Sequence, residues 1–296
     1  MSNQDIQNLN LGKIKVYIDV FYYSTALSGI KTYIEELVHG LNKYGRKDVE
    51  YTFSHDIDKL KNKQFFINSK FRLVRWVFQI RYLIWKQIIL PIKLLTNSAD
   101  ILICPDYVAP VFSPCRKIVV IHDNLFWKYP QNYPLIWRNY FIKLIKLGLS
   151  RNTDIVTTSI YSKNGLKNIF NNRKIIHIYQ SSERVCYNNK INRSRDYILH
   201  IGTFEERKDL LTLVKAFKLY KDNTNSNYKL VLAGSKYING KKHVYKSIKK
   251  YVLKNNLTSS IIMPGYIKKK QAIYYYNNAS LYVFPSIDEG FGIPLI

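Results

Sequence analysis

The 296-residue sequence predicts an α/β protein made of two doubly wound, Rossmann-like halves, and three observations carry that prediction. Short apolar runs of strand length alternate with segments of helical periodicity, the pattern of repeated β-α-β units around a parallel sheet. Several of those runs end in glycine, histidine or proline just before the next helix, at the rim where parallel sheets bind ligands. The alternation breaks at Ser181 to Asp196, a polar stretch with Ser-Ser, Asn-Asn and Arg-Ser-Arg. Residues 1–182 and 197–296 are therefore expected to be separate domains joined by a linker over 183–196.

In the first half, Lys13 to Val20 alternates into a strand, Phe21 to Ser28 is a loop, and Ile30 to Asn42 carries Ile30, Tyr33, Ile34, Leu37, Val38 and Leu41 at helical spacing. Gly29 stands at the strand-to-helix turn, where a phosphate can meet a helix N-terminus. Tyr51 to Gln64 is poorly periodic. It contains Asp56-Ile57-Asp58, the spacing of a metal-binding carboxylate pair, but no convincing apolar strand precedes it and lysines stand close by, so no metal site is assigned. Phe71 to Leu95 mixes Trp76, Phe78, Tyr82 and Trp85 with Arg72, Arg75, Arg81, Lys86 and Lys93. It reads as a core helix with a cationic outer face, interrupted at Pro91; the alternative is a basic aromatic helix lying on an anionic membrane. Ala99 to Cys104 is a strand, Pro105 to Pro114 a proline-rich turn, and Ile118 to Ile121 a strand ending in His122-Asp123. Leu135 to Leu149 is an amphipathic helix, Asp154 to Thr158 a strand, Ser159 an N-cap for the next helix, and Lys174 to Tyr179 the last strand of this half.

The second half repeats the logic. Strand Tyr197 to Ile201 leads through the turn Gly202 to Asp209 into a helix from Leu210 to Tyr220. Arg207 and Lys208, adjacent cations at a glycine turn, suit a departing diphosphate. Leu230 to Gly234 and Ile261 to Ile267 are strands with glycine loops at Gly234 and Gly265-Tyr266, and Gln271 to Asn277 is a short helix. Ala279 to Phe284 is a strand that Pro285 ends, because proline cannot donate to a ladder. Glu289-Gly290-Phe291-Gly292 follows, with backbone N–H groups expected to open a further helix and a carboxylate able to hold sugar hydroxyls.

Composition narrows the function classes. The net charge of +26 fits nucleic acid, an anionic membrane surface or phosphorylated substrates, but most lysines are scattered and the aromatics lie in apolar runs rather than in a basic stripe, so nucleic acid is not expected as a partner. Cys104, Cys115 and Cys186 have no CxxC spacing and read as reduced thiols, consistent with a cytoplasmic protein. No apolar run is long enough to span a bilayer and Met1 to Asn10 lacks a signal-peptide core.

Four segments together resemble the retaining GT-B glycosyltransferases of family 4: Gly29-Ile30-Lys31-Thr32-Tyr33, Val119-Val120-Ile121-His122-Asp123, Gly202-Thr203 with Arg207-Lys208, and Pro285-Ser286 followed by Glu289-Gly290-Phe291-Gly292-Ile293-Pro294. The resemblance implies two Rossmann-like domains facing a cleft, with acceptor on the first and nucleotide sugar on the second. It implies that Arg207, Lys208, Gly202 and Gly29 grip the donor diphosphate. Glu289 and the backbone of Gly290, Phe291 and Gly292 would bind the donor sugar, His122 would contact that sugar catalytically, and Gly234, Gly265 and Tyr266 would border the base. The expected reaction moves a hexosyl group, with retention and without metal or other cofactor, to a glycan or lipid-linked acceptor of a cell-surface polysaccharide, with peripheral contact to an anionic membrane. In the family a second glutamate stands eight residues after the first, beyond Ile296, so the second domain is expected to be incomplete and activity at this length weak.

Overall fold

The computed structural model describes residues 12–26, 28–61, 72–150, 152–181, 195–236 and 243–296. The chain divides into two compact units, residues 1–182 and 183–296.

The first unit is built on a parallel six-stranded sheet, in the order β2-β1-β3-β4-β5-β6. Its strands are β1 (Ile14–Ile18), β2 (Val49–Phe53), β3 (Ile101–Cys104), β4 (Arg116–Val120), β5 (Thr153–Thr157) and β6 (Ile175–His177). Alternation along β1 sends Val16 and Ile18 to one face, where Ile34 of the helix Ser28–Tyr44 meets them, and Tyr17 to the other. That second face packs against Leu90, Leu94, Leu144, Ile145 and Leu166, all buried and each contributing about 1.5–3 kcal/mol by leaving water. Ser159 caps the helix Ile160–Lys167, its Oγ accepting from Ser162 N at 3.0 Å.

Three expectations for this unit change. The stretch read as aperiodic contains β2, which pairs in parallel with β1 along Val16↔Tyr51. It is an edge strand, only partly buried, so its sequence never needed a clean apolar alternation. Asp56 of the Asp-x-Asp pair caps the short helix Ile57–Lys61, accepting from Asp58 N at 2.8 Å; no cluster of three or more potential metal ligands occurs among the described residues. Pro91 does not interrupt the long helix. Arg72–Ile84 runs into a π turn at Trp85–Ile89, where Leu90 N bonds back five residues to Trp85 O, and then into Leu90–Thr96. The wider turn takes up the missing N–H and the bulk of the proline ring.

The polarity of this helix is also the reverse of the expected one. Lys86 points inward with no exposure and ion-pairs with Asp19 at 2.7 Å and Asp106 at 2.6 Å, both equally buried. Those carboxylates follow β1 and β3, the two strands between which the sheet order reverses. Tyr82 donates to Asp106 at 2.8 Å and Trp85 Nε1 to Asp19 at 2.9 Å. Burial pushes the Asp106 carboxyl up to about 6, whereas the Lys86 ammonium and its hydrogen-bond donors overcome burial at Asp19 and hold it below its usual value. The outer face is apolar rather than cationic, with Trp76, Ile80, Ile84, Ile88, Ile92 and Leu95 exposed.

The second unit has a parallel four-stranded sheet in the order β10-β7-β8-β9, from β7 (Arg195–Ile201), β8 (Lys229–Ala233), β9 (Ile261–Gly265) and β10 (Ala279–Tyr282). Helices Leu210–Thr224 and His243–Lys254 cover one face through Leu213, Val214, Phe217, Ile248 and Val252, and Tyr275 and Tyr276 of Lys269–Asn278 cover the other. Successive strands run outward from β7 to β9, and β10 then returns to the other side of β7. The sheet's topological switch point thus lies at the carboxyl ends of β7 and β10. The helix expected after Gly292 is a single 3-10 turn, Ile293–Leu295. The call on Cys186 and most of the 183–196 linker lie outside the described residues.

Candidate functional site

At the switch point of the second sheet, two loops converge. After β7 the chain turns at Gly202 and passes through a 3-10 turn, Glu206–Lys208, that sets Arg207 and Lys208 just ahead of the helix Leu210–Thr224. Asp209 sits at φ 45°, a left-handed conformation that a non-glycine residue adopts at a cost of about 1–3 kcal/mol, and it forms the hinge between that turn and the helix. After β10 the second loop brings in Glu289. Ile287 N donates to Arg207 O at 2.8 Å and fastens the two loops backbone to backbone.

The side chains then form one ionic cluster. Glu289 accepts from Arg207 Nη1 at 2.6 Å and from Lys208 Nζ, and Arg207 Nε donates to Glu205 at 2.7 Å, while Thr203 donates to Glu205. Arg207, Glu205 and Glu289 are about one-fifth exposed and Lys208 is almost fully buried, its ammonium 5.1 Å over the Phe284 ring. Burial and the neighbouring Arg207 pull the Lys208 ammonium below its usual range, with Glu289 opposing. Burial raises the Glu289 carboxyl, but the two cations outweigh it and hold the acid below its ordinary value. The sequence expectation treated the basic pair and the carboxylate as separate contacts; the structure joins them. Lys208 has three N–H donors and Arg207 five, more than these carboxylates take, so an oxyanion can share them.

Glycines shape the floor. A Cβ on Gly234, at φ +148°, would lie 1.8 Å from Gly202 O, so the loops after β7 and β8 touch through bare backbone. Gly234 N donates to Gly265 O at 2.8 Å, extending the contact to the loop after β9, where Tyr266 is exposed. Gly292 adopts φ +91°. A residue that sequence reasoning passed over, His200, lies beneath this floor. Its Nδ1 donates to Val283 O at 2.9 Å, which leaves Nε2 as a bare acceptor, buried without a hydrogen-bond partner, 2.8 Å from where a Cβ on Gly202 would stand. Burial pulls this imidazole down to about 4. Ser286 Oγ, on the opposing loop, is likewise buried without a partner. Buried polar atoms left this way cost about 1–3 kcal/mol each, a penalty that clusters where polar ligands bind. The signal in the sequence was position alone, a histidine two residues before a glycine at a strand end.

In the first unit, His122 lies just past β4, buried, its ring edge-on to Tyr33 with centroids 4.8 Å apart. Nε2 donates to Pro105 O at 2.8 Å, which fixes the tautomer and leaves Nδ1 as the acceptor. Burial holds the ring neutral, down at about 4. Gly29 is the second residue of the helix Ser28–Tyr44, and a Cβ there would meet nothing within 4 Å.

Residues 184–296 match the family model described as Glycosyl transferases group 1. The chain is 26% identical to the O-antigen chain mannosyltransferase RfbU of Salmonella typhimurium over 183 residues, covering 61% of this chain and 48% of the relative. It is 26% identical over 198 residues to O-antigen chain mannosyltransferase B of Escherichia coli, covering 61% and 50%. The chain spans about half the length of these curated relatives. Among solved structures it superposes on sucrose-phosphate synthase from Thermosynechococcus elongatus with a TM-score of 0.60 at 15% identity, over 95% of this chain and 78% of that one. HepE of Anabaena, solved in complex with UDP and glucose, gives a TM-score of 0.61 at 13% identity, over 94% and 76%. These likenesses establish the α/β fold of the GT-B glycosyltransferases.

Proposed function

We propose, for a chain whose residues 184–296 match the group 1 glycosyltransferases and which is related to O-antigen mannosyltransferases, that it moves a hexosyl group from a nucleotide-diphosphate sugar to a glycan or lipid-linked acceptor of a cell-surface polysaccharide. The observation that carries the reading is the convergence of Arg207, Lys208 and Glu289 at the switch point of the second sheet. As the bond between the anomeric carbon and the diphosphate oxygen stretches, positive charge develops on the sugar ring and negative charge on the departing diphosphate. Arg207 and Lys208 lie within one cluster where both can meet that negative charge, and in a site shielded from water such a contact is worth more than in solution. Glu289, held ionised by the same two cations, is placed to accept hydroxyl hydrogens of the sugar. Gly202, Gly234 and Gly265 leave room for a nucleotide against bare backbone, with Tyr266 at the base edge. In this scheme side chains supply the positive charge, no metal ion takes part, and the anomeric configuration is retained. A neutral His122 with Nδ1 free to accept suits a sugar hydroxyl.

The test is release of nucleoside diphosphate from a panel of UDP-, GDP- and ADP-hexoses, with and without acceptor lipid extract. The reading expects one donor class to turn over and Arg207→Ala to remove that turnover. Release that Arg207→Ala leaves unchanged would overturn the assignment of the site.

A further inference from the structure

The outward face of the helical segment 72–96 is a continuous apolar stripe with no cover in its own unit. Trp76, Ile80, Ile84, Ile88, Ile92 and Leu95 are 42–63% exposed. The i, i+4 spacing survives the whole length because the π turn at Trp85–Ile89 adds one residue where an α-helix would drift. From Trp76 to Leu95 the stripe runs roughly 29 Å at 1.5 Å per residue. Its side chains expose on the order of 500 Å² or more, at the upper end of the largest apolar patch on a typical monomer. Rotation cannot hide it. The opposite face is clamped by the buried Lys86 with Asp19 and Asp106 and by the Tyr82 and Trp85 hydrogen bonds, so turning the stripe inward would tear an ion-paired cluster out of the core.

The charge around the stripe identifies what covers it. Residues 59–99 contain nine Lys or Arg and no Asp or Glu. Of these, Arg81 and Lys93 stand exposed on the helix itself. No helix among the described residues is long and apolar enough to cross a membrane. An amphipathic helix of this kind, apolar outward and rimmed by cations, lies in the plane of a bilayer with its charges among the headgroups. We propose that this face docks the first unit on a lipid surface carrying anionic headgroups, with Trp76 and the isoleucine row entering the headgroup–acyl boundary. The inference uses no part of the transfer reading.

The experiment is co-sedimentation of the full chain with vesicles of phosphatidylcholine alone and of phosphatidylcholine with phosphatidylglycerol. Wild type is expected to bind the anionic vesicles at least about tenfold more tightly than the neutral ones, and to lose binding as salt rises. Ile84→Glu with Ile88→Glu is expected to weaken binding about tenfold or more while the melting temperature stays put, since both residues are exposed. Arg81→Glu with Lys93→Glu, which leaves every apolar group in place, is expected to weaken anionic binding about tenfold and supplies a second variant should the first fail to fold. No binding of wild type to anionic vesicles overturns the proposal, as does equal binding by both variants. A concentration-dependent dimer that the isoleucine pair abolishes, without any vesicle binding, would assign the stripe to a second copy and overturn it as well.

Discussion

Replacing Glu289 with Gln keeps the shape of the side chain and removes the charge that ties the two loops of the second unit together. The cluster holds two cations, Arg207 and Lys208, and two carboxylates, Glu205 and Glu289, so the substitution changes its formal charge from zero to +1. Two charge-assisted hydrogen bonds weaken at once, and Lys208, nearly buried beside Arg207, loses its nearest counter-ion. A loss of about 2 kcal/mol is expected, given that hydrogen bonds to charged groups contribute roughly 1.5–3 kcal/mol. At about 4 °C per kcal/mol for a unit of this size, the transition of the second unit should fall by about 8 °C. Ligand binding should move the other way. One unit of charge about 5 Å away is worth on the order of 3 kcal/mol at an effective dielectric of 20. Solvent at the mouth of the cluster should cut that by about half, leaving roughly 1.4 kcal/mol or a tenfold gain in nucleoside diphosphate affinity. Differential scanning calorimetry and titration calorimetry with UDP, GDP and ADP read both effects. A variant that melts like wild type, or that binds every nucleotide more weakly, would refute the view that Glu289 is the counter-ion of a diphosphate-gripping pair.

Lys86→Met should destabilise the first unit by about 3–5 kcal/mol, because Asp19 and Asp106 would remain buried without their cation, and adding Asp19→Asn and Asp106→Asn should recover most of the loss in urea melts. Acid should weaken both units before the carboxylates titrate. His122 and His200 are pulled down to about 4 by burial against 6.5 in the unfolded chain, so the unfolded state binds more protons in between and stability falls as pH drops from 7 to 5. The expected loss is about 2 kcal/mol per histidine at pH 5, flattened by His122→Gln in one unit and His200→Asn in the other. Gly234→Ala, which must displace the Gly202 backbone, should cost more than about 3 kcal/mol and abolish nucleotide binding, whereas Gly29→Ala, with open space around it, should stabilise its helix by about 0.5–1 kcal/mol in thermal melts.

Much of the fold was legible because buried parallel strands leave a plain mark. The runs at Ile101–Cys104, Arg116–Val120, Thr153–Thr157, Lys229–Ala233 and Ile261–Gly265 are apolar on both faces, and the glycines and histidine at their ends mark the rim. What was not legible follows from exposure and distance. The strand Val49–Phe53 lies at a sheet edge, where partial burial relaxes the pattern, and His243–Lys254 has too few apolar positions to stand out amid its lysines. The helix at 72–96 is apolar on two faces, so periodicity could not say which turns inward; that choice is made by Lys86, whose partners lie 67 and 20 residues away in sequence. Pro91 signals a break only where the preceding turn is α-helical, and here it is not. Glu289 is 81 residues from Lys208, and no spacing rule links them until the sheet order brings the ends of β7 and β10 together.

The central claim, that the carboxyl ends of β7 and β10 hold a nucleoside diphosphate through Arg207 and Lys208, is tested most directly by the melting temperature of the purified chain with UDP, GDP and ADP in turn, in wild type and in Arg207→Ala. The account predicts that at least one nucleotide, at about a hundred times its dissociation constant, stabilises the wild-type protein by about 2.7 kcal/mol and that the variant loses this gain. A cooperative melt that none of the three nucleotides moves, or a shift that survives in Arg207→Ala, would contradict it.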